Sequence, residues 1–184
     1  MIGSASRVCL SRLLTALAAA MLLGGCLPEL KSEHPPARVY WLEAVAVSDP
    51  PPVAVTVTLV PGLDTDRIWV LEPDQRLNYY AGAFWPERLQ LLLQSILERS
   101  LESRAGAPHL KVLVERFFAV GDPEAGAPDV DIAARIESGE LSCRFESRRR
   151  AASERLRDIV AAHQALVDEL VRAVAVVARG DVCP

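Results

Sequence analysis

The sequence predicts an α/β (α+β) fold, in which a mixed β-sheet carries two long amphipathic helices within a single domain. After residue 37, runs rich in β-branched and aromatic residues alternate with turn residues, which is typical of strands. Two segments instead repeat leucine or valine at three- and four-residue steps, which indicates helices with one apolar face. The order of strands, helix, three strands and helix favours helices packed on a mixed sheet.

The first 25 residues have the pattern of a bacterial lipoprotein signal peptide. Arg7 and Arg12 are the only charged residues before Cys26, and they precede an apolar core. That core has about a dozen residues, fewer than the roughly 20 that a membrane-spanning helix needs. Leu-Gly-Gly-Cys at 23–26 resembles the bacterial lipobox, whose cysteine sulfur carries diacylglycerol. We therefore expect cleavage before Cys26 and lipidation of Cys26, with a plain secretory signal or an apolar core helix as the alternatives.

Removal of residues 1–25 leaves an acidic chain. Two of the 20 Lys and Arg residues leave with the signal while all 24 Asp and Glu remain, so the formal charge becomes −6. An acidic domain is a poor candidate for binding nucleic acid. Residues 26–37 contain three prolines and no apolar period, which predicts a flexible tether behind the lipidated cysteine. The predicted folded domain spans residues 38–184.

The first half of this domain contains four strand candidates and one helix. The strand candidates are 39–47, 50–60, 67–73 and 76–81, the last two forming a hairpin. The helix is predicted to begin near Pro86, because proline is tolerated at the first helical position, and Gly106 and Pro108 are predicted to end it. Its expected buried face consists of Leu89, Leu92, Leu93, Ile96, Leu97 and Leu101.

The second half contains three strand candidates and a closing helix. The strands are predicted at 110–120, 129–138 and 140–147, with the last two joined at Gly139. The closing helix is predicted over 151–177. Its expected buried stripe is Leu156, Ile159, Val160, His163, Leu166, Val167, Leu170, Val171 and Val174.

The sequence shows no catalytic or metal-binding pattern. His34 lies in the tether and His109 at a strand start, while His163 lies on the apolar stripe, where we interpret it as a packing residue. There is no G-x-S-x-G motif and no Gly-rich loop leading from a strand into a helix. Cys143 and Cys183 are forty residues apart without companion histidines, which is not a zinc spacing. We therefore expect no catalytic residues, no metal and no cofactor.

Two clusters are candidate partner-binding surfaces. The aromatic residues at the junction of hairpin and helix could pack in the core or bind a partner. The arginines that end the stretch RFESRRR could contact a partner or anionic lipid, or could be solvated residues of a half-exposed strand that precedes a helix. The candidates are Tyr79, Tyr80, Phe84 and Trp85 in the aromatic cluster and Arg148, Arg149 and Arg150 in the arginine cluster.

Cys143 and Cys183 are the two cysteines left after cleavage and lipidation. Both would lie in a compartment that permits disulfides. The closing helix is expected to return antiparallel past the strand that carries Cys143, and the C-terminal tail is just long enough to fold back to it. A disulfide between them is therefore possible, and free thiols are the alternative.

Several motifs together resemble the ABC-type transport auxiliary lipoproteins, the PqiC-like family. These are a Tyr-x-Leu first strand, Val-Pro and Leu-Asp ahead of an Ile-Val strand, and a Tyr before a Trp that opens a leucine-rich helix. The matching residues are Tyr40, Leu42, Val60, Pro61, Leu63, Asp64, Ile68, Val70, Tyr80 and Trp85. The resemblance covers residues 38–178. Pro86 departs from the family pattern, in which a small residue more commonly follows the Trp, and Cys183 lies outside the matched residues.

The resemblance implies an outer-membrane-anchored lipoprotein on the periplasmic face. It would be a non-enzymatic auxiliary component of an ABC/MCE-type intermembrane lipid transport system. Its implied partners are an MCE-domain periplasmic protein and the associated permease and ATPase, and it could form a homo-oligomer. Leu27 stands where inner-membrane lipoproteins typically carry aspartate, which favours the outer membrane. A periplasmic lipoprotein hydrolase and a free-standing structural lipoprotein of the envelope are the alternatives.

Overall fold

The computed structural model describes residues 36–102, 104, 106–121, 126–181 and 183. These residues belong to one compact unit, Pro35–Pro184. The predicted signal peptide, Cys26 and the tether up to residue 35 lie outside the described residues.

Seven strands and two helices make up the described part of the chain. The strands form one mixed sheet in the order β1-β4-β3-β5-β6-β7, with β2 also paired to β5. The strands are β1 Arg38–Val39, β2 Ala54–Leu59, β3 Arg67–Leu71, β4 Leu77–Phe84, β5 His109–Val120, β6 Asp129–Ser138 and β7 Leu141–Arg150. The helices are α1 Leu89–Ser100 and α2 Leu156–Ala178.

The long strands β5, β6 and β7 form an antiparallel meander at the centre and one side of the sheet. Gly139 makes the turn between β6 and β7 with a φ of 60°, a conformation that glycine adopts without a steric penalty. On the other side of β5, β2 and β3 both pair with it in parallel, one along its first half and one at its end. The sheet therefore mixes parallel and antiparallel pairs, as the sequence predicted.

Both helices bury one apolar face against the same side of the sheet. Leu110 and Val112 of β5 join the helical leucines and valines in one core cluster, and so does Phe117, because a bulge between Val114 and Arg116 shifts the alternation by one residue. The opposite face carries the intervening residues of each strand, because successive side chains point to opposite sides. The described residues thus form a two-layer domain with one open sheet face, and the predicted fold class is confirmed.

Two glutamine side chains on the helices bind extended backbone as a neighbouring strand would. The side-chain amide of Gln94 on α1 accepts from Val57 N at 2.7 Å and donates to Val55 O at 2.8 Å. On α2, the Gln164 amide accepts from Glu43 N at 2.7 Å and donates to Glu43 O at 3.1 Å. These contacts satisfy backbone groups that have no partner strand.

The predicted first strand, 39–47, is wrong beyond its first residue. Only Arg38 and Val39 pair with another strand, and the chain then runs as an extended segment held by the helices. Leu42 enters the core and Val45 N donates to the Ser100 hydroxyl at 2.8 Å. Strand-like composition therefore reflects extended backbone here, but its hydrogen-bond partners are helix side chains.

The predicted boundaries around β7 and both helices also need correction. The strand continues to Arg150 and α2 begins five residues later than expected, while α1 ends at Ser100, before Gly106 and Pro108. The Ser153 hydroxyl accepts from Arg155 N at 3.1 Å, a local turn that competes with helical backbone bonding. Arg148, Arg149 and Arg150 are consequently strand residues and do not lie in a segment before the helix.

Candidate functional site

The predicted aromatic cluster divides between the core and the open sheet face. Trp85 is only 2% exposed, and its ring lies 6.2 Å from Phe117 and 5.5 Å from His163. Tyr80 is half-buried against the core, and this burial raises the pKa of its phenol. Of the two alternatives for the aromatic cluster, core packing therefore applies to Trp85, because its side chain is enclosed by the core.

Tyr79 and Phe84 instead lie beside the guanidinium of Arg67. The Arg67 Cζ atom is 4.9 Å from the Tyr79 ring centre and 4.3 Å from the Phe84 ring centre. Trp69 meets Tyr79 edge to face at 6.1 Å, since the two residues are paired across β3 and β4. We call Arg67, Trp69, Tyr79 and Phe84 the aromatic face.

Sequence reasoning missed Arg67 and Trp69. Both lie in the predicted hairpin, at alternate positions of one strand, so they share one side of it. Trp69 stands opposite Tyr79, and this register was the missing information. The indole N–H of Trp69 is buried without a hydrogen-bond partner in the described part of the chain.

The arginines at the end of β7 bind the protein's own carboxylates. Arg148 makes two hydrogen bonds of 2.6 Å to Asp131, whose side chain is 8% exposed. These bonds and the charge of Asp131 raise the pKa of Arg148. Arg150 lies 3.8 Å from Asp129, also on β6.

Arg149 points to the other side of β7 and reaches α2. Its guanidinium lies 2.6 Å from a carboxylate oxygen of Glu169. The Ser147 hydroxyl donates to the same carboxylate at 2.5 Å, and it lowers the pKa of Glu169 together with Arg149. The predicted arginine cluster is therefore split between the two faces of the sheet.

Further ion pairs continue across the open face of β5, β6 and β7. Arg144 lies 2.7 Å from Glu146, Arg116 lies 3.3 Å from Glu146, and Arg135 lies 3.1 Å from Glu115. The hydrogen bond from Arg144 lowers the pKa of Glu146. We call the ion pairs of β5–β7 on this face, including those of Arg148 and Arg150, the arginine ladder.

His163 lies in the core, where the sequence placed it. The imidazole is fully buried, 4.8 Å from the Phe117 ring, and its Nδ1 donates to Ile159 O at 3.0 Å. Nε2 has no partner among the described residues. Burial lowers the pKa of His163 from 6.5 to about 4, so the ring is neutral at neutral pH.

The structure contains a disulfide between Cys143 and Cys183, with Cα atoms 5.5 Å apart. Cys143 is buried on the helix side of β7, and Cys183 lies in the exposed tail after α2. The bridge therefore ties the end of the chain to the outermost strand of the sheet.

Two features are absent from the part of the domain that the structure describes. They contain no group of three or more His, Cys, Asp or Glu side chains placed to hold a metal ion. Within the same part of the chain, neither helix combines the length and apolar character needed to span a membrane.

Solved structures share this fold at low sequence identity. Protein XCC0632 from Xanthomonas campestris, described as a DUF330 family protein, is similar with a TM-score of 0.64 and 17% identity over 77% of this chain and 95% of that chain. A second, uncharacterized protein is similar with a TM-score of 0.60 and 13% identity over 76% and 97%. At these identities the likeness establishes the fold. No family model and no curated protein matches the chain.

Proposed function

We propose that the chain is an outer-membrane-anchored periplasmic lipoprotein that serves as a non-enzymatic auxiliary component of an ABC/MCE-type intermembrane lipid transport system. Two sequence features support the proposal. The lipobox pattern ends at Cys26, and the motifs of residues 38–178 resemble the PqiC-like auxiliary lipoproteins. The domain docks on the MCE-domain protein, which links it to the permease and ATPase.

The aromatic face is the observation that carries the docking role. Both described helices cover the other side of the sheet, so Tyr79 remains 44% exposed beside Trp69 and Arg67. Trp, Tyr and Arg are the residue types most enriched among those that contribute most of the binding energy at protein interfaces. An exposed group of this composition suits a protein partner.

Co-purification tests this proposal. The full chain, tagged at its C-terminus, is purified from detergent-solubilised membranes of its own host, and the recovered proteins are quantified by mass spectrometry. We expect the wild type to recover an MCE-domain protein, a permease and an ATPase. Tyr79→Ala should reduce that recovery by about tenfold or more, the effect of losing one hot-spot residue. Leu141→Ala is the matched control, because Leu141 is 38% exposed at the opposite edge of the sheet.

A separate label tests the anchor. A fatty-acid analogue should mark the wild-type chain and not Cys26→Ser. Recovery of none of the three transport proteins, or equal recovery with Tyr79→Ala, contradicts the docking role, while equal labelling of wild type and Cys26→Ser contradicts the anchor.

A further inference from the structure

A second surface surrounds β1, the strand that follows the tether. An open depression of about 430 Å³ is lined by Arg38 and Tyr40 from the β1 region and by Arg155, Leu156 and Arg157 from the start of α2. Three of these five residues are arginines and none is acidic. The depression therefore concentrates positive charge in a domain that is acidic as a whole.

These arginines differ from those at the end of β7 in how they are paired. Among the described residues, Arg38 and Arg155 have no carboxylate within ion-pair distance, and Arg157 has only its neighbour Asp158 at 3.6 Å. All three arginines are exposed. Cations at the start of a helix also oppose its dipole, so Arg155 and Arg157 contribute nothing to the stability of α2. The fold itself supplies no reason for positive charge here.

Exposed apolar residues lie on the other side of the same segment. Val39 is 53% exposed, and Trp41 is 69% exposed, the highest value among the large hydrophobic residues of the described chain. They alternate with Arg38 and Tyr40, so their side chains leave the extended backbone on the opposite side. We call Arg38, Val39, Trp41, Arg155 and Arg157 the β1 edge surface.

The composition of this surface matches the chemistry of a lipid headgroup layer. Tryptophan prefers the membrane–water interface, where its ring meets acyl chains and its N–H meets polar groups. Arginine binds phosphate groups through paired N–H donors. The tether between Cys26 and Arg38 spans at most about 40 Å, so an anchored chain keeps this surface close to the bilayer.

We propose that the β1 edge surface docks on the anionic phospholipid surface of the membrane that holds the anchor. Trp41 and Val39 enter the headgroup region, and the three arginines bind headgroup phosphates. The inference rests on the proposed lipid anchor at Cys26. Because the anchor makes docking intramolecular, weak contacts suffice to orient the domain, with the β1 edge toward the bilayer.

Fluorescence quenching in reconstituted vesicles tests the docking. The full lipidated chain is inserted into vesicles of brominated phosphatidylcholine, either alone or with about a quarter of phosphatidylglycerol. Bromine quenches tryptophan only at close range, so we expect about twofold stronger quenching in the anionic vesicles. Trp41→Phe should lose this difference, although it retains Trp69 and Trp85.

A charge reversal tests the arginines. Changing Arg38, Arg155 and Arg157 together to Glu should abolish the extra quenching, and acidic residues at the start of α2 favour the helix, so the fold is preserved. The matched control reverses three exposed arginines elsewhere and should keep the extra quenching. Its substitutions are Arg99→Glu, Arg104→Glu and Arg172→Glu.

Flotation of the same vesicles separates the two proposals. A chain that floats but shows equal quenching in both vesicle types, or equal quenching with Trp41→Phe, overturns the docking and leaves the anchor standing. Equal loss of quenching in the two charge-reversed variants also overturns the docking, because it would reflect net charge alone. A chain that does not float overturns the anchor and the docking that depends on it.

Discussion

The arginines of β7 and those of the β1 edge surface differ in what lies opposite them. Arg148 is 59% exposed, yet it makes two hydrogen bonds to a buried carboxylate on the adjacent strand. Arg38 and Arg155 are also exposed, but the described chain places no carboxylate against them. Solvent exposure therefore does not distinguish an arginine that stabilises the fold from one that is free to bind another molecule. The presence of a carboxylate partner within the domain does.

The difference also divides the molecule into a side that supports stability and a side that can interact. At the β7 side, ion pairs and the disulfide bind the outermost strand to β6, to α2 and to the tail. At the β1 side, the outermost strand has only two paired residues. We expect substitutions at the β7 side to change the free energy of unfolding and those at the β1 side to leave it unchanged.

The largest expected effect comes from breaking the disulfide. Cys183→Ser should lower the free energy of unfolding by about 4 kcal/mol, because the closed loop of 40 residues no longer restricts the unfolded chain. Urea denaturation of the chain made in an oxidising compartment measures the loss. Reduced wild type should match the variant. Unchanged stability in Cys183→Ser, or two alkylatable thiols in the denatured, non-reduced wild type, contradicts a stabilising bridge.

The next effect compares two arginines directly. Arg148→Ala should cost about 2 to 3 kcal/mol of unfolding free energy, because it leaves the buried Asp131 carboxylate without its hydrogen-bond donor. Arg38→Ala should stay within about 0.5 kcal/mol, as for a surface residue without a partner. Urea denaturation of both variants measures the two values side by side. Equal losses would remove the distinction between the two sides of the molecule.

The smallest expected effect is a pH dependence of the free energy of unfolding, which arises from His163 in the core and not from the surface ion pairs. His163 binds protons less readily in the folded chain, where its pKa is about 4, than in the unfolded chain, where it is near 6.5. The unfolding free energy therefore decreases as pH falls from 6.5 toward 4, by about 2 kcal/mol at a pH of about 5. The hydrogen bond from Arg144 lowers the pKa of Glu146 and the hydrogen bond from Ser147 lowers the pKa of Glu169, so these ion-paired carboxylates lose their charge at a lower pH than free carboxylates do.

His163→Leu isolates this contribution. The substitution replaces the imidazole by an apolar side chain of similar size and should remove the loss of stability between neutral pH and pH of about 5. Thermal unfolding at the two pH values measures the difference. If the variant keeps the pH dependence of the wild type, another group is responsible.

Much of the fold could be predicted because periodicity is a local property of the chain. The stripe of α2, with His163 on it, was read from spacing alone, and β6 at 129–138 has the predicted bounds. The prediction of a strand over 39–47 was wrong because a strand-like composition does not specify which group will accept or donate the backbone hydrogen bonds. Gln164 and Ser100, both distant in sequence, supply the partners that a neighbouring strand would have supplied.

The candidate surfaces were less predictable for the same reason. Tyr79 and Trp85 lie six residues apart in one aromatic-rich stretch, but one is 44% exposed and the other 2%. Which of them is covered depends on α2 and β5, whose Phe117 and His163 enclose Trp85. The exposure of Trp41 could not be predicted, because nothing in the surrounding sequence distinguishes an exposed tryptophan from a buried one.

The sequence by itself determined both helices, their apolar faces and the strands other than the segment 39–47, because these depend on the spacing of residues within one segment. Only the tertiary structure decided which arginines are paired and which aromatic residues remain exposed. A carboxylate such as Asp131 neutralises Arg148 only when β6 and β7 lie side by side in one register. That register is set by the β6–β7 hairpin, whose turn contains Gly139, whereas long-range packing leaves Arg38 and Arg155 without a carboxylate partner among the described residues.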